Sequence, residues 1–153
     1  LVAIGSYCLM PNHFHILLTP LAENGVGTFL GKLSTSYSMY FNKKYDRSGS
    51  LFEGRYKAQH VSDDRYLKYL FAYIHLNPVK LIDRHWKEKK MENVQGVFRY
   101  ASEYRHSSLI DYLKNNRKEG VILDSQKFPE YFCGPEDIKT ELFQWLTYLD
   151  DEK

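Results

Sequence analysis

Cysteine is scarce in this chain. Only Cys8 and Cys133 occur in 153 residues, far apart and in no CxxC pair. That usage fits reduced thiols in a cytoplasmic protein. Long apolar runs are missing too, and none reaches the length of a membrane span. The opening Leu-Val-Ala-Ile has no basic start, so no signal peptide is visible. Leu1 is not an initiator methionine, and no cap or turn precedes the apolar run it opens. The numbering is therefore expected to start inside a longer protein. There is no internal repeat and no low-complexity tract. What remains has the size of one domain, or of one domain with an appendage.

Charge is unevenly spread. Residues 1–30 carry Glu23 and no Lys or Arg. Residues 31–90 hold 13 basic against 6 acidic side chains, and residues 91–153 hold 8 against 12. The basic middle is interleaved with Tyr37, Tyr40, Phe41, Tyr45, Phe52 and Tyr56. Cations for phosphates and rings for base stacking suit single-stranded nucleic acid. Lys43, Lys44, Arg55 and Lys57 are the cations expected to meet phosphates. A solvated helix face over an aromatic core is the alternative.

The stretch Met10-Pro11-Asn12-His13-Phe14-His15-Ile16-Leu17-Leu18 puts two imidazoles two residues apart in an apolar run. In a strand, alternate side chains point to opposite faces. His13 and His15 then share one face, and Phe14, Ile16 and Leu18 share the other. One face is free to pack a core while the other holds a metal ion through two neutral nitrogens. Two satisfied or surface histidines are the plain alternative. Position 17 is Leu, which argues against hydrolases built on three alternating histidines.

A coarse reading places the other elements. Residues 2–5 are an apolar lead-in; 7–10 and 14–19 read as strands, with a bend at Pro11-Asn12. Residues 20–27 are a loop. Thr28 is expected to cap a helix to about Lys44, burying Phe29, Leu30, Leu33, Tyr37, Tyr40 and Phe41. Residues 46–50 form a turn and 50–61 a strand, in which Phe52, Tyr56 and Ala58 alternate with polar neighbours. A helix begins at Ser62-Asp63-Asp64 and runs to about Leu76, because Pro78 bars its continuation. Residues 83–98 read as a loop, Ser102 as the cap of a helix ending near Asn116, and 118–135 as irregular. Residues 135–149 form a last amphipathic helix with Ile138, Leu142, Trp145, Leu146 and Leu149 inward.

On the helix after residue 62, Leu67, Leu70, Phe71 and Ile74 make a core stripe, while Tyr73 and Asn77, four apart, share another face. The Asn77 carbonyl oxygen suits a hard cation, and the Tyr73 hydroxyl is able to attack phosphorus. A core-edge aromatic and a helix terminator before Pro78 are the alternatives. His75 points away from that face and reads as structural. Tyr66 and Tyr69 read as packing or DNA contacts, and His60 stays open.

Three blocks together resemble a known family: Tyr-Cys-Leu-Met-Pro-Asn-His-Phe-His at 7–15, Gly-Ser-Leu-Phe-Glu-Gly-Arg-Tyr-Lys at 49–57, and Tyr-Ile-His-Leu-Asn-Pro-Val-Lys at 73–80. They occur in the order and at spacings that fit the single-tyrosine HUH transposases, REP-associated group, and the likeness covers roughly residues 5–110. The resemblance implies an α+β fold, a ferredoxin-like antiparallel sheet with helices on one face. It implies a DNA transposase and endonuclease that cleaves and rejoins single-stranded DNA near hairpins through a 5′-phosphotyrosine. By position, His13 and His15 match the metal ligands, Tyr73 the nucleophile and Asn77 the third ligand, for Mg²⁺ or Mn²⁺. The physics agrees: a phenol with a pKa near 10 needs help to attack a phosphodiester, and a divalent ion supplies it.

Family members begin with a further strand and helix before the equivalent of Tyr7. Without that strand, residues 7–19 are expected to leave a bare edge, completed by a second copy (a homodimer) or by a longer chain. The expected division is a catalytic domain over residues 1–117, N-terminally incomplete, and an acidic helical extension over 118–153. Partners are single-stranded or hairpin DNA, and no membrane. Two other readings stand beside this one: a non-catalytic hairpin DNA-binding protein descended from a transposase, and a metal-dependent hydrolase that uses the histidines and a water.

Overall fold

A computed structural model describes residues 1–86, 91, 93–113, 117–129 and 134–147. The fold is α+β. Strands β1 (Val2–Leu9) and β2 (Phe14–Pro20) form a two-stranded antiparallel sheet. The hairpin closes through Met10 N–H donating to the His13 carbonyl at 2.8 Å, with Pro11 and Asn12 at the bend. Register sets Cys8 opposite His15 and Ser6 opposite Leu17, with an irregularity between Ile4 and Ser6. Gly5 lies at that irregularity. The Phe128 ring fills the space a Cβ there would need, 2.7 Å away.

Along β1, segments distant in sequence supply backbone partners. Leu9 N–H donates to the His106 carbonyl at 2.8 Å, Ser108 N–H to the Tyr7 carbonyl at 2.9 Å, and Asp124 N–H to the Ile4 carbonyl at 2.9 Å. Strand groups need partners when buried, and here residues distant in sequence supply them. Arg117 fastens this seam: its guanidinium bridges Asp111, and donates to the Tyr7 hydroxyl at 2.8 Å and to the Ser107 carbonyl at 3.1 Å.

Helix α1 (Gly25–Lys44) starts before the expected cap at Thr28. Asn24 takes the left-handed conformation at φ 53 and its carbonyl accepts the Thr28 N–H. The helix buries far less than its pattern implies. Leu30 is buried, Phe29 and Phe41 are half-buried, and Leu33, Tyr37 and Tyr40 are exposed. Too few elements cover it. The strand expected over 50–61 is not formed: the segment is bends and irregular backbone. No backbone hydrogen bond joins it to either strand among the described residues, and a strand without a ladder partner has nothing to hold it.

Helix α2 (Asp64–Leu76) agrees with expectation. The Asp63 carboxylate caps it, accepting the Tyr66 N–H at 2.8 Å. A 3₁₀ turn, Asn77–Leu81, continues its axis with Pro78 in its first positions, where the missing N–H costs nothing. Helix α3 (Val94–Glu103) lies where a loop was expected, capped by Asn93, which accepts the Gly96 N–H at 2.9 Å. It buries Val97, Phe98 and Ala101, a stripe too narrow to stand out among polar neighbours. Ser102 therefore sits in a last helical turn rather than at a cap. Helix α4 (Leu109–Leu113) is short, and residues 114–116 of the helix expected there lie outside the described residues. Short 3₁₀ turns, Lys118–Ile122 and Ser125–Lys127, break the irregular segment. Helix α5 (Pro135–Thr147) buries Ile138, Leu142 and Leu146, with Trp145 half-buried; Leu149 lies outside the described residues.

Helix α2 stands between two cores. Phe71, Ala72 and Leu76 join Val97, Phe98, Leu109 and the three buried residues of α5 in the larger cluster. Ile74 joins Cys8 and Leu17 of the sheet in the smaller one. Leu67 and Leu70, expected in the stripe, are only half-buried.

Candidate functional site

The site forms where β2 meets α2. The rings of His13, just before β2, and His15 lie 5.0 Å apart, perpendicular to each other. The His15 ring meets the Tyr73 ring at 5.4 Å. The His15 face of β2 is not free of core packing, as expected from the pattern, but is the packed one. Leu17, two residues beyond His15, is buried against Ile74, while Phe14, Ile16 and Leu18 are half-buried. The reason is the position of α2, which lays Tyr73 and Ile74 over the histidine side. Phe14, on the opposite side, meets Phe52 at 6.2 Å.

His13 Nδ1 and the Asn12 side-chain oxygen are hydrogen-bonded at 2.7 Å. Asn77 is fully buried, and neither atom of its side-chain amide has a hydrogen-bond partner within the protein. A buried amide in that state costs stability, and its oxygen keeps two lone pairs for a ligand. Among the described residues no group of three or more His, Cys, Asp or Glu side chains is placed to hold a metal. A cation on the two histidines would need an amide, water or phosphate oxygen to complete its shell. Two imidazole nitrogens and an amide oxygen are donors of a kind that divalent ions accept; of the three residues, the structure sets the rings of His13 and His15 beside each other.

Tyr73 is half-buried and well framed. Its ring stacks on Tyr69 at 5.9 Å, and Tyr69 stacks on Tyr66 at 6.0 Å and meets Trp145 of α5 at 5.3 Å. Tyr69 therefore packs the nucleophile candidate, and Tyr66 backs Tyr69. Lys80 Nζ donates to the Tyr73 hydroxyl at 3.0 Å. Sequence reasoning gave Lys80 no role, although the signal was present: Tyr73, Asn77 and Lys80 are spaced i, i+4, i+7, and residues three apart eclipse on a 3₁₀ turn.

Two nearby groups are ruled out as reactive. Burial pushes the Cys8 thiol up to about 12, against the pull of Lys80, so no thiolate forms at neutral pH. Burial lowers His75 to about 3, so it is neutral. Its Nε2–H donates to Ser108 Oγ at 2.7 Å, and that hydroxyl accepts the Tyr7 N–H and donates to the Tyr7 carbonyl. His75 is a pin between α2 and β1, as its position on the helix implied.

The expected DNA-binding cations lie apart from this centre. Lys43 and Lys44 end α1, and Arg55 and Lys57 are exposed on the irregular segment. Aromatic contacts run from Phe14 through Phe52, Tyr37 and Phe41 to Tyr45, with Phe52–Tyr37 at 6.3 Å and Phe41–Tyr45 at 4.5 Å. Lys44 Nζ sits 5.4 Å from the Tyr45 ring centre, and the Arg47 guanidinium 5.7 Å from that of Phe41. No helix among the described residues is long and apolar enough to cross a membrane.

Comparison with known families gives one finding. The family described as Transposase IS200 like matches residues 2–77, a span that contains His13, His15, Tyr73 and Asn77 and ends three residues before Lys80. No curated protein and no solved structure matches the chain.

Proposed function

Since the chain belongs to the family of IS200-like transposases through residues 2–77, we propose that it cleaves and rejoins single-stranded DNA near hairpins, with Tyr73 as the nucleophile. The observation that carries this reading is Tyr73, half-buried with its ring against His15 and its hydroxyl 3.0 Å from the Lys80 ammonium. Tyr73 Oη bonds to phosphorus and the bond from phosphorus to the 3′ oxygen breaks. The product is a 5′-phosphotyrosine and a free 3′-OH. The phosphoester keeps the energy of the broken bond, so a second 3′-OH can reverse the step on another strand.

The protein's own part is orientation and charge. Tyr69 and His15 hold the Tyr73 ring from two sides. His13, His15 and Asn77 would hold Mg²⁺ or Mn²⁺, which when bound neutralises phosphate charge and steadies the leaving oxygen. The aromatic path from Phe14 to Tyr45, flanked by Lys43, Lys44, Arg55 and Lys57, supports a track for an unpaired strand: rings for bases and cations for phosphates.

The test is direct. The chain is incubated with a pool of labelled DNA hairpins carrying single-stranded flanks, in Mn²⁺, and denatured. A labelled protein band, with the nucleotide mapped to Tyr73 by mass spectrometry, is the expected result. Tyr73→Phe keeps the ring and loses the bond-forming atom, so it should bind the pool and form no adduct. Binding without any adduct by the unaltered chain would favour a hairpin-binding protein that does not cut.

A further inference from the structure

We propose that Lys80 is a catalytic residue: its ammonium holds the Tyr73 oxygen for attack and supplies positive charge to the phosphate as it reacts. The inference rests on the tyrosine-nucleophile reading above and adds a residue that lies outside the matched family span. Lys80 Nζ donates to Tyr73 Oη at 3.0 Å and lies 5.0 Å from the centre of the same ring. The position is built rather than incidental. Pro78 and the buried Val79 fix the 3₁₀ turn that carries Lys80, and that turn continues the axis of α2 beyond Asn77. The side chain is half-buried, so its charge is screened less than that of a surface lysine.

The chemistry balances without another reagent. Oη forms a bond to phosphorus while the P–O3′ bond breaks, and that electron pair stays on the 3′ oxygen. The phenol proton passes to water and the 3′ oxygen takes one from water; nothing is oxidised or reduced. Lys80 keeps its three protons throughout. Its N–H occupies one lone-pair direction of Oη. Its charge stands beside a phosphate whose own charge grows toward the transition state, where a preorganised donor counts most. His13 and His15 are neutral ligands in this scheme, so Lys80 is the cation on the attacking oxygen's side.

The experiment measures single-turnover adduct formation with the same hairpin pool in Mn²⁺, alongside binding of that pool and thermal melting. Lys80→Met should slow the adduct by about 10²- to 10³-fold, the range for loss of one preorganised donor. Binding of the pool should change only a few-fold, as for one lost phosphate contact. Lys80→Arg, which keeps charge and donor, should hold the rate within about tenfold of the unaltered chain. If Lys80→Met melts early, Lys80→Gln, which keeps a neutral donor, replaces it and should be slowed in the same way. An adduct formed as fast without the lysine overturns the proposal while the Tyr73 reading stands. Equal loss in the Met and Arg variants also overturns it, because charge would then not be what matters. Failure of the unaltered chain to form any adduct overturns both.

Discussion

At the scale of single residues, the proposed ligand Asn77 is the first to test. Asn77 is buried with an amide that bonds to nothing in the protein, so its removal breaks no hydrogen bond. Asn77→Ala should shift the melting temperature by no more than roughly 4 °C, the equivalent of about 1 kcal/mol in a chain of this size. It should also slow adduct formation, though less than His13→Ala or His15→Ala, because water can replace one neutral oxygen. Each histidine variant should lose metal-dependent cleavage, and chelation of the unaltered chain should do the same. Undiminished cleavage by a variant lacking both histidines, in chelator, would remove the metal from the scheme. A large fall in melting temperature for Asn77→Ala would make that residue a structural one. Cys8 makes the contrast: it shares the face and the neighbourhood, and burial keeps it a thiol.

At the scale of elements, α2 joins the sheet to the helical core, and its two attachments give two measurements. The first is His75. Its folded value is lowered from 6.5 to about 3 by burial, so the unfolded chain binds a proton that the folded chain refuses. Stability on this account is full above about pH 6.5 and is lost as pH falls from there toward about 3. The slope approaches about 1.4 kcal/mol per pH unit for one proton. Denaturant midpoints between pH 7 and pH 4 should fall in the unaltered chain and fall less in His75→Gln. Parallel curves for the two would show that His75 titrates normally. The second attachment is α5, whose Leu142 is fully buried in the cluster that holds Phe71 and Leu76. Leu142→Ala should cost about 2–5 kcal/mol and lower the whole unfolding transition together. A separate early transition for α5, with the rest unmoved, would contradict that shared core.

At the scale of the whole molecule, the proposed function makes the basic middle the part that governs association with DNA. Lys43, Lys44, Arg55 and Lys57 are exposed, in line with rings that reach from the histidine strand to the end of α1. Affinity for single-stranded DNA should fall with salt at a log–log slope of roughly −0.7 for each phosphate contact. Removing Lys43 and Lys44 together should flatten that slope by up to about 1.4, measured by anisotropy across a salt series. An unchanged slope would move the DNA track away from α1. Unpaired strands and hairpins should outcompete plain duplex, since stacking on Tyr37, Tyr40 or Tyr45 needs exposed base faces.

What the sequence determined by itself is chemistry and local geometry. The closeness of His13 and His15 follows from their two-residue spacing at the start of β2, α2 follows from its Asp63 cap, Pro78 and apolar spacing, and α5 follows from its apolar spacing. Contacts between distant segments were decided only by the tertiary structure. The histidine face is the packed one because α2 lies on it, which no alternation pattern states. β1 gains backbone partners because residues 106–108 and 124 arrive beside it. Residues 50–61 alternate like a strand yet form none, because no ladder partner reaches them, and α1 carries an apolar stripe that little covers. Lys80 stands between the two kinds of knowledge: its spacing from Tyr73 was written in the chain, but the 3.0 Å contact depends on how the 3₁₀ turn after Asn77 settles against the core.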